Sequence, residues 1–154
     1  MAYYDIIDTI KNHLENNDIT NTVTEGDIFD VDLNKKTIFP LAHIIVDNAV
    51  LQEHITTFNI TIVVMDTVDV SKEDPATSTS PFLEISNRQD VLNTQLYVVN
   101  KLVETLRRGD LYTTKYQLGA EPSAQPFDDR FENLLAGWNV SLAIEIPNDI
   151  YVCP

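Results

Sequence analysis

Apolar residues at the start of the chain recur at the spacing of one helical face. Tyr3, Ile6, Ile7, Ile10 and Leu14 share it, with Asp8, Lys11, Asn12 and Glu15 between them. This predicts an amphipathic helix from Ala2 to Asn16. The run NNDITN ends it, because Asn and Asp favour turns over helix interiors. The period then drops to two. In ITTFNITIVVMDTVD, Phe58, Ile60, Ile62 and Val64 take one parity and Thr57, Asn59 and Thr61 the other, which predicts a long strand rich in β-branched residues. The same alternation closes the chain, with Trp138, Val140, Leu142, Ile144 and Ile146 against Asn139, Ser141, Ala143 and Glu145. A C-terminal extension, 147–154, follows from Pro147 as PNDIYVCP.

Between these landmarks the pattern is shorter. DIFDVDLNKKTIFP, with Ile28, Phe29, Val31 and Leu33, reads as a strand or hairpin arm turning near Asn34 and Lys35. LAHIIVDNAV is apolar on both parities, as in a strand covered on both faces. SNRQDVLNTQLYVVNKLVETLRRG predicts a long helix. Ser86 with Gln89 forms a capping box, and Val91, Leu92, Leu96, Val99, Leu102, Val103 and Leu106 form its stripe. Arg107 and Arg108 suit the negative end of the dipole, and Gly109 suits the left-handed conformation that stops a helix. LYTTKYQLG predicts a short strand. Two stretches read as long connections. The first, Val70 to Ile85, holds Pro75, Pro81 and a Ser/Thr run; the second, about 119–133, holds Pro122 and Pro126 and one helical turn near Phe131–Leu134. Loops beyond about 12–15 residues are uncommon in compact domains and tend to be functional or disordered.

This order predicts a single α+β domain over 1–154, with both helices on one face of a mainly antiparallel sheet. No internal repeat and no linker divides it. Length and composition agree, since 154 residues with 44% hydrophobic content suffice for one core. The formal charge of −14 changes the functional picture. Such a chain repels nucleic-acid phosphates and anionic membranes instead of binding them. Its one cysteine, Cys153, permits no intramolecular disulfide, which fits a reducing compartment. The N-terminus, with Asp5 and Asp8 inside its apolar stretch, reads as neither signal peptide nor membrane span.

Candidate chemistry is sparse. The four glycines, Gly26, Gly109, Gly119 and Gly137, are isolated, whereas phosphate-cradling loops cluster them. His13, His43 and His54 lack the spacing and partners of a zinc site and read as surface or strand-end histidines. Asp30, Asp32 and Asn34 open like a calcium loop, but Lys35 stands where the turn wants glycine and Leu41 where a bidentate Glu belongs. Asp128, Asp129 and Glu132 around Arg130 raise a metal-dependent hydrolase as one rival, and a solvated loop explains them equally well. No nucleophile-elbow motif occurs, and Cys153 lacks the electropositive setting that activates a thiol. The expectation is a non-enzyme without metal or cofactor.

The stretches YYDIIDTIKNHL, IFPLAHIIVDNA, TTFNITIVVMDTVD, RQDVLNTQLYVVNKLVETLRRG and LLAGWNVSLAIEIPND, in this order, resemble the tail terminator and tail-completion (head–tail neck ring) proteins of tailed bacteriophages. The resemblance spans nearly the whole chain and rests on element order, not on an invariant motif; the stretch from Val70 to Ile85 has no clear counterpart. It implies an N-terminal helix, a curved mainly antiparallel sheet, a long helix packed against it and an ordered final strand. It also implies a structural virion protein, made in the host bacterial cytoplasm. Such proteins form a homo-oligomeric ring, six- or twelve-fold, at the neck or the head-proximal tail end. The ring terminates or joins the tail, contacts portal, connector or other neck proteins and tail tube proteins, and lets DNA pass through its lumen without specific binding. No cofactor enters that role. Expected interface residues are Asp69, Lys72, Glu73, Asp74, Pro81 and Phe82 in the first long loop. Phe127, Asp128, Asp129 and Arg130 are expected in the second, and Ile150, Tyr151 and Val152 in the tail, free to add to a neighbouring subunit by main-chain pairing. The other rival is a stand-alone acidic binding module, an inhibitor or DNA mimic.

Overall fold

The computed structural model describes residues 2–27, 31, 36–68, 70–71, 85–86, 88–109, 111, 115–130, 134–148, 150 and 152. Helix α1 (Ala2–Glu15) leads into strand β1 (Thr22–Glu25), a 3-10 turn at Lys36–Ile38, β2 (Leu41–Leu51) and β3 (Ile55–Thr67). Then come β4 (Val70–Ser71), β5 (Ile85–Ser86), helix α2 (Arg88–Arg108), β6 (Gln117–Leu118), β7 (Ser123–Arg130) and β8 (Leu134–Pro147).

The fold is α+β around a six-stranded sheet ordered β1-β2-β3-β8-β6, with β7 also on β8. Only β1 and β2 pair in parallel; the other ladders of this sheet are antiparallel. The two segments with the clearest alternation form its centre, β3 against β8 from Ile55 opposite Pro147 to Thr67 opposite Leu135. Beyond β8, β6 pairs with Glu145 and Ile144, and β7 pairs from Ser141 down to Leu134.

One face of the sheet carries the main core. Ile60, Ile62, Val64, Val140, Leu142 and Ile144 meet Ile6, Ile7, Ile10 and Leu14 of α1 and Val98, Val99, Leu102 and Leu106 of α2. Burying each such side chain contributes about 1.5–3 kcal/mol. The inward residues of α2 are Val91, Gln95, Val98, Val99, Leu102, Val103 and Leu106. These positions keep the phase of 3.6 residues per turn, which leaves the expected Leu96 exposed and turns Val98 inward. The Trp138 indole donates to the Leu92 carbonyl at 2.8 Å and ties α2 to β8. On the opposite face a smaller cluster of Phe39, Leu41, Met65 and Leu135, with Phe127 against it, covers one end. Thr57, Asn59, Thr61, Asn139, Ser141 and Glu145, the polar parity of β3 and β8, remain at least partly exposed there.

Several expectations are corrected. The second long connection is largely strand β7, and Leu134, expected in a helical turn, begins β8. The first connection is pinned at its ends, Val70 opposite Ser86 and Ser71 opposite Ile85. Ser86 is therefore a strand residue, and α2 begins two positions later, at Arg88, so the Ser86–Gln89 capping box does not form the helix start. Gly109 does not take the left-handed conformation, since Gly26 is the described residue with positive φ. The Gly109 N–H instead continues the helical bonding to Thr105 O at 3.0 Å. The short strand expected in LYTTKYQLG reduces to Gln117–Leu118. LAHIIVDNAV is buried on both faces at its start and exposed from Asp47 onward, because β1 runs beside only its first residues. Of the predicted strand over 27–40, most positions lie outside the described residues, and Lys36–Ile38 form a 3-10 turn before the cis Phe39–Pro40 bond.

Candidate functional site

The tail leaves the sheet beside the β2–β3 hairpin. Asn148 follows Pro147 and donates its main-chain N–H to the His54 carbonyl at 2.8 Å and its side-chain amide to the Gln52 carbonyl at 3.3 Å. Its side-chain oxygen then accepts the Ile150 N–H at 3.3 Å. These bonds make a local asparagine turn at the end of β8. Ile150 and Val152 are each 80% exposed.

The same end of the molecule gathers other exposed apolar side chains. Leu51, 80% exposed, lies opposite Thr56, and Val50 and Ile55 flank the hairpin turn. Tyr3 and Tyr4 of α1 stand edge to face with ring centroids 6.1 Å apart, and the Tyr3 ring lies 6.3 Å from Phe58. The register divides the hairpin residues between the two faces of the sheet, Leu51 on the side of Phe58 and Val50 and Ile55 on the side of Thr57. A groove of ≈ 500 Å³ opens nearby, lined by Tyr3 and Ile7 of α1, Glu25, Gly26 and Asp27, and Ile44, Ile45 and Val46 of β2.

Near the start of β2 lies a residue that the sequence reads as a surface or strand-end histidine. His43 is fully buried. Its Nε2 donates to the Gly26 carbonyl at 2.8 Å, since a carbonyl only accepts, and its Nδ1 shares a hydrogen bond with the Thr24 hydroxyl at 2.6 Å. The imidazole thus satisfies both partners and clamps β1 to β2. His54 does sit at a strand end, exposed beside Glu53. His13 is half-buried on α1, where burial first and the Lys101 charge second lower its pKa from 6.5.

The other expected interface residues fall into two groups. Phe127 packs against the small cluster beneath the sheet, and the backbones of Asp128, Asp129 and Arg130 pair with Ala136, Leu135 and Leu134. These lie at the opposite end of β8 from the tail, a separation of roughly 40 Å at about 3.4 Å per residue. Asp69, Lys72, Glu73, Asp74, Pro81, Phe82 and Tyr151 lie outside the described residues.

Among the described residues, no three His, Cys, Asp or Glu side chains come together to hold a metal. Near the end of α2, Arg107 bridges Glu104 and Glu121 at 3.2 and 2.7 Å, and Arg108 meets Glu104 at 2.8 Å. These exposed pairs are worth little individually. No described helix is long and apolar enough to cross a membrane. No protein-family model matches the chain, and no curated protein matches it.

The signal for the hairpin tip was present in the sequence, since Val50, Leu51 and Ile55 flank the polar Gln52-Glu53-His54. No signal in the sequence marked His43, whose burial depends on the parallel strand β1.

Proposed function

We propose that this protein is a structural virion subunit of a tailed bacteriophage. It forms a homo-oligomeric ring at the head–tail junction or the head-proximal tail end, which terminates or joins the tail and lets DNA pass. The observation that carries the reading is the position of the last strand. β8 lies at the centre of the sheet, both helices pack on one face, and an apolar tail projects from one end of β8 while the charged end of β7 sits at the other. A subunit with two unlike contact ends suits head-to-tail assembly, which closes into a ring when the rotation allows. The charge of −14 suits a conduit, because negative surface keeps translocating DNA from sticking. Partners in this reading are further copies of the chain, portal or other neck proteins and tail tube proteins, with no cofactor.

The test is native mass across a concentration series, with negative-stain images of the same samples. Closed rings of about six or twelve subunits are expected. Replacing Tyr151 and Val152 by Asp leaves the monomer folded and impairs assembly. A protein that stays monomeric at every concentration would count against self-assembly and favour the acidic binding module.

A further inference from the structure

Helix α2 has an outer face unlike that of an ordinary surface helix. Val91 to Asn100 is a run of ten residues without Asp, Glu, Lys or Arg, in a chain that is 22% charged. The solvent side of an amphipathic helix ordinarily carries such residues. Val91, Gln95, Val98 and Val99 of this run are buried. Asn93, Leu96, Tyr97 and Asn100 stand at i, i+3, i+4 and i+7 on the other side, and all four are exposed. Tyr97 is 55% exposed in the middle of the helix.

A second apolar surface lies on other elements. Phe58 of β3 is buried at its centre, and the Phe58 ladder partner, Ala49, is exposed. Leu51 extends the same face two residues on, within diagonal reach of Phe58. The Tyr3 ring lies against Phe58 and the Tyr4 ring against Tyr3, and both tyrosines stay exposed. The hairpin that carries Leu51 is held in place, because Asn148 bonds to both the Gln52 and the His54 carbonyls. Apart from this end of the molecule and the tail, the exposed large apolar side chains among the described residues are Leu96 and Tyr97.

The two surfaces match in chemistry. Each has an aromatic and aliphatic centre without charged side chains, the composition of an interface core. Their borders are opposite in sign. Asp8 stands one turn beyond Tyr4, and Glu53 two residues beyond Leu51, both exposed. Lys101 stands one turn beyond Tyr97, and α2 holds four basic against two acidic residues in a chain of charge −14. Copies this acidic repel where carboxylates face each other, so an acidic border meeting a basic one is the favoured approach. The borders orient the encounter, and the apolar centres supply the affinity.

We propose that the surface formed by Tyr3, Tyr4 and Leu51 of one copy packs on Leu96 and Tyr97 of α2 in the next. The inference rests on the ring reading and adds a contact to it. The two surfaces are unlike, so each copy gives one and receives one, as head-to-tail closure requires.

Two full-length variants test it, each carrying the charge of the border that it meets. One has Tyr4→Lys and Leu51→Lys, the other Leu96→Glu and Tyr97→Glu, and Tyr3 is left in place against Phe58. Sedimentation velocity follows the wild type, each variant and their equimolar mixture up to millimolar protein under reducing conditions. The wild type forms rings, and each variant alone loses at least about thirtyfold in self-affinity, as for a lost hot spot. The mixture forms dimers and stops there, because only one intact copy of each surface remains. Where Trp138 emission shows that a variant has opened, the milder pair Leu51→Ser and Leu96→Ser replaces it in the same mixture. Rings that persist in either variant overturn this contact, leave the ring reading and reserve these surfaces for other partners. Folded variants whose mixture stays monomeric while the wild type assembles also overturn it. A wild type that is monomeric at millimolar protein overturns both. Open chains without rings, with the mixture pairing into dimers, support the contact and overturn the ring.

Discussion

Gly137 sits where β3 passes closest to β8. It is buried opposite Met65 on one side and Phe127 on the other. A Cβ there would run into the Val64 carbonyl oxygen. Gly137→Ala therefore forces the central ladder apart and is expected to cost about 1–3 kcal/mol in urea unfolding, the usual penalty for overpacking. His13 gives a test of a different kind. Burial and Lys101 hold its pKa below 6.5 in the folded state, so the unfolded chain binds more protons just below that pH. Stability is present above 6.5 and lost as pH falls through that value toward the folded pKa. His13→Gln removes this contribution, and its Tm should decline less steeply across that window than that of the wild type. Neither effect was visible in the sequence, because both depend on which neighbours tertiary packing supplies.

Elements whose burial follows their own period were legible. α1, α2, β3 and β8 each bury one face against the common core, so the apolar spacing of each carries its identity. β7 was not. SAQPFDDR shows no alternation, and its side chains from Ser123 to Gln125 are all exposed. It is a strand because β8 offers it a main-chain edge, and the sequence of β7 itself says nothing of that edge. The start of α2 was misplaced for a related reason. Ser86 is drawn into a two-residue ladder with Val70, a long-range pairing that overrides a local capping signal. Ile150 and Val152 of the tail, expected at an interface from the sequence, are exposed. The groove was not recognised, since it joins α1, β1 and β2 from distant parts of the chain.

At the scale of the whole molecule, charge opposes what the apolar end favours. Two copies bearing −14 each repel at low ionic strength, and screening shortens that repulsion to about 3 Å at 1 M salt. Self-association should therefore tighten as salt rises, with sedimentation velocity showing larger species at 0.5–1 M salt, values chosen from the screening length. A basic partner would show the opposite dependence. Weakening of the self-contact with salt would mean that attraction between opposite charges, not apolar burial, holds the copies together.

The bond from Trp138 to the Leu92 carbonyl has a practical consequence. This is the only tryptophan in the chain, and it stands on the core face between the long helix and the final strand, away from the tail and the hairpin tip. Its fluorescence consequently reports docking of α2 onto the sheet. Emission that stays constant while particle mass grows would mark association of intact subunits, and emission that shifts with mass would mark association that begins by opening the core.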